Sequence, residues 1–133
     1  MCGITRPQDG LAAAAAGADA IGMVFYGKSP RNVTLDQAAA ITRALPPFVS
    51  SVALFVNPQA SEVEAVLHHV RPDVLQFHGE ETPEFCRSFG VPYLKAARVR
   101  PDSDLFQFAA YFADAQGFLL DAWSEAGHGG TGE

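Results

Sequence analysis

A thiol and a carboxyl stand out, because each ends a short apolar segment of strand length. Cys2 precedes a helix that is expected to begin at Pro7. Asp121 closes the apolar segment that starts at Gly117. A thiol can act as a general base where a positive charge or a helix N-terminus favours the thiolate. A carboxyl can act as a general acid where its setting raises its pKa above the usual value of about 3.9, so this pair indicates acid and base chemistry.

The residues around both groups suit these roles. Pro7 has its φ fixed and no N–H to lose, so it fits the first position of a helix and brings a helix N-terminus near Cys2. Taken singly, each group also has a plain structural explanation, because cysteine is a common core residue and aspartate often caps a turn. An apolar wall around Asp121 is expected from its neighbours Phe118, Leu119, Leu120 and Trp123.

Further polar groups lie in the predicted loops, with alternatives left open. Arg31 follows the second strand, where a guanidinium can bind a carboxylate by paired hydrogen bonds or simply face solvent. His78 follows the fourth strand and can orient a polar substrate or satisfy a turn. His68 and His69 are expected in the middle of a helix, without a ligand one turn away, so they do not indicate a metal site. Gly129-Gly130-Thr131-Gly132 can present N–H groups to a phosphate or form a lid.

Repeating strand and helix patterns predict how these groups are held. Strands are expected to begin near positions 1, 20, 49, 73, 92 and 117, so the unit repeats every 19 to 29 residues. The strands are continuous apolar runs, which is typical of a parallel sheet. Six βα units fit an open doubly wound sheet or part of an eight-unit barrel. The G-x-G-x-x-G letters from Gly127 to Gly132 do not open a helix after a strand, so a dinucleotide site is not predicted.

The helices between the strands have recognisable ends. Gly17 is expected to end the first helix after its alanine run. Thr34 and Ser61 are expected to cap the next two helices, and Thr82 is expected to open the fourth.

Composition limits the classes of function. The 133 residues carry 48% apolar residues and a formal charge of −6, which fits one compact domain over residues 1–133 and argues against a nucleic-acid partner. Two cysteines 84 positions apart, Cys2 and Cys86, indicate reduced thiols rather than a disulfide framework. No stretch is long and apolar enough for a membrane span, so we expect a cytoplasmic protein.

Six short stretches occur along the chain in one order and spacing: Cys2-Gly3-Ile4-Thr5-Arg6, Phe25-Tyr26-Gly27-Lys28-Ser29-Pro30-Arg31, Leu54-Phe55-Val56-Asn57, Leu75-Gln76-Phe77-His78-Gly79, Leu119-Leu120-Asp121 and Gly129-Gly130-Thr131-Gly132. Read together, they closely resemble the phosphoribosylanthranilate isomerase family of tryptophan biosynthesis. The resemblance covers essentially the whole chain. It implies a (β/α)8 TIM barrel, of which this chain carries six units.

The resemblance also implies a reaction and a set of roles. Members of the family convert N-(5-phosphoribosyl)anthranilate, without a cofactor or metal, into 1-(2-carboxyphenylamino)-1-deoxyribulose 5-phosphate by an Amadori rearrangement. By similarity, Asp121 is the general acid that opens the ribose ring, and Cys2 is the base that removes the proton from C2. Arg31 is expected to hold the anthranilate carboxylate, with Gln76 and His78 also in the substrate site.

Two departures from the family pattern bear on activity. The family barrel has eight units, whereas the sixth strand here is followed by 11 residues without an apolar period. Met1 alone precedes Cys2 in the first strand. We therefore expect a fragment that lacks the last two units and part of the first strand, with little activity alone because such barrels bind phosphate mostly with the loops after strands seven and eight.

Alternative functions remain open at this stage. One is another phosphosugar barrel enzyme, such as an epimerase or a neighbouring tryptophan-pathway synthase, which would use other strand-end residues, commonly metal ligands or a lysine. Metal dependence would favour the epimerase. A non-catalytic βα fragment would instead associate through its open sheet edges, which sedimentation would reveal as a stable dimer. Either a monomer or a homodimer is compatible with the sequence.

Overall fold

The computed structural model describes residues 1–123 of the chain. Within these residues, helices and strands alternate, as the βα pattern predicts. The elements are α1 (Pro7–Ala15), β1 (Ala20–Phe25), α2 (Leu35–Ala44), β2 (Ser50–Phe55), α3 (Ala60–His69), β3 (Val74–Phe77), α4 (Pro83–Arg87), β4 (Tyr93–Val99), α5 (Leu105–Tyr111) and β5 (Gly117–Ala122).

All strand pairings in the described sheet are parallel. The order is β1-β2-β3-β4-β5, so each strand lies beside the next strand in sequence and every carboxyl end lies at the same edge of the sheet. The first of the six predicted strands is reduced to an isolated parallel bridge between Cys2 and Gly22. Met1 and Gly3 add backbone hydrogen bonds to Gly22, which hold this short segment alongside β1.

Local signals account for most helix boundaries. Pro7 occupies the first turn of α1, and Thr34 caps α2 by accepting a hydrogen bond from the Gln37 N–H. The predicted Ser61 cap of α3 is wrong: the helix begins at Ala60, because the Glu62 carboxylate accepts the N–H of the preceding Gln59 at 2.8 Å. Within the described residues, every helix is too short or too polar to span a bilayer.

The five helices pack on one face of the sheet. Alternate residues of the strands enter one core cluster that includes Met23, Phe55 and Phe77, and all five helices contribute to it. Phe77 contacts the rings of Phe85 and Phe89 beside α4. Since successive side chains of a strand point to opposite faces, the residues between these core positions point away from the helices. We call that second side of the sheet the open face.

The β5 strand differs from the strands before it. Its apolar side chains are largely accessible, with Leu119 38% and Leu120 65% exposed, and the neighbouring Trp123 is 37% exposed. The expected apolar wall around Asp121 is therefore not closed in this structure. The reason is that β5 pairs only with β4 among the described strands, so its other edge is uncovered.

Candidate active site

The Cys2 thiol lies on the open face. A Cβ built on Gly22 would lie 3.3 Å from Cys2 Sγ, so the sulfur occupies the side toward which residue 22 points. The next residue, Met23, is fully buried on the helix side, where its sulfur accepts a hydrogen bond from Thr42 of α2. Cys2 itself is exposed and free. The structure therefore presents an accessible sulfur on the face opposite the helices.

The Arg31 side chain lies against the residue that follows Cys2. A Cβ on Gly3 would lie 2.5 Å from Arg31 Nη1 and 2.6 Å from Arg31 Cδ. Gly3 also has a φ of 85°, a backbone conformation that is strained for a residue with a side chain. The absence of a side chain at position 3 thus lets a guanidinium approach the Cys2 segment, although Arg31 itself stays exposed to solvent.

Gln76 and His78 come together at the carboxyl end of β3. Phe77 between them faces the helices, so both neighbours point to the open face. Gln76 Nε2 lies 2.9 Å from His78 Nε2, and Gln76 is 9% exposed. With the amide nitrogen as donor, His78 Nε2 accepts and the neutral ring carries its proton on Nδ1.

Asp121 also belongs to the open face. Phe118 contacts Phe108 of α5 and thus faces the helices, and Asp121, three positions on, has the opposite orientation. Its register partner in the parallel ladder is Arg98 of β4. The carboxyl is half-buried.

The candidate residues therefore share one face but span the whole sheet. Cys2 lies beside β1 at one edge, Asp121 lies in β5 at the other edge, and the Gln76 and His78 pair lies on the central strand. In an open sheet three strands would separate the two edges, and Cys2 and Asp121 would not meet. Closure of a sheet into a barrel turns one face inward and brings its edges toward each other.

Comparison with known proteins decides between the two architectures. Residues 1–133 match the family model of N-(5'phosphoribosyl)anthranilate (PRA) isomerase. The chain belongs to the PRA isomerase family. The sheet is accordingly part of a (β/α)8 barrel, in which the open face is the barrel interior.

Relatives with the name N-(5'-phosphoribosyl)anthranilate isomerase align with all 133 residues. The proteins of Alcanivorax borkumensis and Azotobacter vinelandii are each 56% identical to the chain, which covers 61% and 65% of their lengths. The crystal structure of phosphoribosyl anthranilate isomerase from Thermotoga maritima superposes with a TM-score of 0.88 at 35% identity. The match covers 100% of this chain and 65% of the Thermotoga maritima chain. The Thermus thermophilus structure gives a TM-score of 0.87 at 38% identity, and the match covers 99% of this chain and 64% of that one. The chain thus spans less than two thirds of its PRA isomerase relatives.

An ion pair that the sequence analysis did not identify lies beside the candidate site. Lys95 Nζ of β4 is 2.8 Å from Glu81 Oε1, and the two side chains are only 3% and 2% exposed. A lysine in the middle of an apolar strand is a detectable signal, because lysine is almost never fully buried without a partner. The sequence could not identify the partner, since 14 residues separate the two charges.

Two other sequence predictions concern groups away from this face. The stretch Gly129-Gly130-Thr131-Gly132 lies outside the described residues. His68 and His69 are the last two residues of α3 rather than mid-helix, with ring centroids 5.9 Å apart. In residues 1–123, no three His, Cys, Asp or Glu side chains form a group that could hold a metal ion.

The two cysteines are expected to differ sharply in reactivity. Cys86 is fully buried, and burial raises the pKa of its thiol to about 12, so its thiolate is roughly one part in 10⁵ at pH 7. Cys2 is exposed. Iodoacetamide at pH 7 is therefore expected to alkylate Cys2 in the folded protein and Cys86 only after denaturation, as peptide mass spectrometry would show. Equal labelling of both in the folded protein would contradict the burial of Cys86.

Proposed function

We propose that this chain provides the general acid and the general base of PRA isomerisation, with Asp121 as the acid and Cys2 as the base. The observation that carries the proposal is the shared orientation of both groups toward the open face, together with membership of the PRA isomerase family. Proton transfer needs both groups within reach of one substrate, and the interior of a barrel mouth satisfies that need.

The proposed steps balance without an added reagent. Asp121 gives its proton to the ribose ring oxygen, and the bond between that oxygen and C1 breaks as the anthranilate nitrogen supplies an electron pair to form an iminium ion. Cys2, as the thiolate, then takes the proton from C2, and the C2–H electrons neutralise the iminium to give an enolamine. Tautomerisation of the enolamine yields the 2-ketone.

The substrate-binding roles follow from the charges on the open face. Arg31 is proposed to pair with the anthranilate carboxylate, because its guanidinium is positioned beside Gly3 and offers paired donors. Gln76 and His78 are proposed to contact the sugar. A related phosphoribosyl anthranilate isomerase, 37% identical, has been crystallised with reduced 1-(o-carboxyphenylamino)-1-deoxyribulose 5-phosphate, a ligand that carries both a carboxylate and a phosphate.

The remaining expectations belong to the same proposal. We infer a single cytoplasmic domain that uses neither a cofactor nor a metal, with a small phosphosugar as its partner and no nucleic acid or membrane. Monomers generated from the dimeric Thermotoga maritima enzyme have been crystallised, so a homodimer and a monomer are both compatible with the fold.

The proposal is tested in a chain that is long enough to close the barrel. We define the extended chain as these 133 residues joined to the segments of the Alcanivorax borkumensis relative that the alignment leaves uncovered. The extended chain is expected to consume N-(5-phosphoribosyl)anthranilate, followed by loss of anthranilate fluorescence, at an unchanged rate with a metal chelator. The 133 residues alone are expected to show little turnover, because the loops that usually bind phosphate follow strands seven and eight.

The intact Alcanivorax borkumensis relative provides the control for substrate quality. A folded extended chain without turnover, in an assay where that relative is active, would contradict the proposed function. Loss of activity on chelation would instead favour a metal-dependent phosphosugar enzyme.

A further inference from the structure

The turn after β3 is fastened to both neighbouring strands by one buried ion pair. Lys95 Nζ donates to the Gly79 carbonyl at 2.6 Å and to Glu81 Oε1 at 2.8 Å. The other carboxylate oxygen, Glu81 Oε2, accepts the N–H of Asn57 at 2.9 Å and that of Gly79 at 3.2 Å. Asn57 follows β2 and Lys95 lies within β4, so the pair joins the segment after β2 and the turn after β3 to β4. We call this arrangement the Lys95–Glu81 clamp.

Both charged groups of the clamp are buried, and both have hydrogen-bond partners. The two charged side chains are 3% and 2% exposed, and Lys95 Nζ also lies 5.3 Å from the centre of the Phe112 ring. Burying such a pair costs desolvation, so an apolar pair of similar volume can be equally stable. What an apolar pair cannot supply is the set of hydrogen bonds to the backbone at residues 57 and 79. The specific effect of the clamp is therefore the geometry of the turn.

Close packing reinforces that geometry on the β2 side. A Cβ on Gly79 would lie 2.7 Å from Asn57 Cγ and 2.8 Å from Asn57 N, so only glycine fits there. Asn57 Oδ1 accepts the Glu80 N–H at 2.7 Å. Asn57 has a φ of 48°, a left-handed conformation that asparagine tolerates better than most residues. The turn is thus held by contacts that leave little freedom to residue 79.

His78 lies between two fixed neighbours. Phe77 before it is fully buried in the aromatic cluster, and Gly79 after it is held by the clamp. The His78 N–H also donates to the Phe55 carbonyl at 2.9 Å. The direction of the His78 side chain is therefore set from both sides, and its ring meets Gln76 Nε2 at 2.9 Å.

We propose that the Lys95–Glu81 clamp, together with Asn57, positions the His78 ring on the open face and keeps it on the Gln76 amide. Lys95 and Glu81 face the helix side and act through the turn, so they are positioning residues and do not touch substrate. The consequence for catalysis rests on the proposed function, whereas the positioning of His78 is independent of it.

Ring NMR of the 133-residue chain tests the positioning without an activity assay. Long-range ¹H–¹⁵N spectra of His78, above the pH at which its ring is protonated, are expected to show one tautomer with the proton on Nδ1. In Lys95→Met/Glu81→Leu, which leaves no buried charge unpaired and removes the acceptor for the Asn57 and Gly79 N–H groups, the His78 nitrogens are expected to move toward the averaged shifts of a free ring. A folded double variant that keeps the wild-type His78 shifts would overturn the proposal.

Two further variants keep that result interpretable. Arg6→Met/Asp9→Asn removes an exposed ion pair of 2.9 Å elsewhere on the chain and is expected to leave His78 unchanged. Asn57→Gly keeps the ion pair and tolerates the left-handed φ, but it loses the Glu80 contact. It is expected to shift the His78 signals in the same direction, and wild-type signals in this variant would overturn the role of Asn57. If the charge-removing double variant does not fold, Asn57→Gly decides the proposal.

Turnover of the extended chain separates positioning from function. Lys95→Met/Glu81→Leu is expected to lower kcat/KM by about tenfold, because small displacements of a substrate-contacting group are costly. On a His78→Ala background the same double change is expected to have almost no further effect. If the double change shifts the His78 signals but lowers kcat/KM equally in the parent and on the His78→Ala background, the role of His78 in the proposed reaction would be overturned. The positioning of His78 by the clamp would still stand.

Discussion

Replacement of Cys2 by alanine in the extended chain is expected to lower kcat by at least about 100-fold, the usual contribution of a positioned general base. The variant retains the backbone bridge to Gly22, since that bridge uses main-chain atoms, so folding is expected to be unaffected. KM is expected to change little, because the thiol acts on the C2 proton rather than on the anions of the substrate. Steady-state kinetics would measure kcat and KM, and circular dichroism would check the folding of the variant.

Cys86→Ala is the matched control for the loss of a thiol. Cys86 lies in α4 within the core cluster on the helix side of the sheet. Its replacement is expected to reduce stability through a small cavity and to leave kcat close to that of the parent. A Cys2→Ala enzyme with the turnover of the parent would remove the base from the proposed mechanism.

Replacement of Lys95 alone by methionine is expected to destabilise the 133-residue chain by about 3–5 kcal/mol, because it leaves the Glu81 carboxylate buried without its charged partner. This is a large share of the roughly 5–15 kcal/mol that stabilises a typical domain. Chemical denaturation followed by circular dichroism would measure the change. The size of the expected effect comes from burial, since exposed ion pairs contribute at most about 1 kcal/mol.

Two comparisons isolate that cause. Arg6→Met breaks an ion pair whose partners are 65% and 44% exposed, so its expected cost is small. Removal of both buried charges in Lys95→Met/Glu81→Gln, which keeps an oxygen to accept the N–H groups of Asn57 and Gly79, is expected to recover much of the stability lost in Lys95→Met. If the single Lys95 variant were as stable as the parent, the pair would not be desolvated as the structure indicates.

The sequence predicts the parts of this fold that depend on short-range signals. Gly17 ends the first helix with a φ of 101°, as its place after an alanine run indicates. Thr34 and Thr82 cap α2 and α4 as expected. The five strands of the sheet lie where continuous apolar runs predict them. These features need only a few neighbouring residues, which is why spacing alone identifies them.

Features that depend on distant residues were not predicted from spacing. Lys95 is seen as a charge in an apolar strand, but its pairing with Glu81 depends on the turn after β3, which only the folded chain brings near. The contact of Arg31 with Gly3 likewise requires two loops to meet. The apolar wall expected around Asp121 is likewise not closed among the described residues, because the exposure of β5 depends on what lies beyond its free edge.

The candidate site divides in the same way. Residue types and strand ends suffice to select Cys2 and Asp121, and the resemblance adds Arg31, Gln76 and His78. Their common orientation follows from strand alternation once the helix side of the sheet is known. The distance across a closed barrel depends on strands beyond the described sheet, so the meeting of acid and base stays a prediction.

A crystal structure of the extended chain with reduced 1-(o-carboxyphenylamino)-1-deoxyribulose 5-phosphate tests the central claim most directly. The account predicts Cys2 Sγ and an Asp121 carboxylate oxygen on either side of the ribulose chain, each within about 3–4 Å of its atoms or joined to them by one water. Arg31 is predicted to hold the ligand carboxylate. A ligand bound elsewhere, or bound here with either group out of reach of the sugar carbons and oxygens, would contradict the assignment of acid and base.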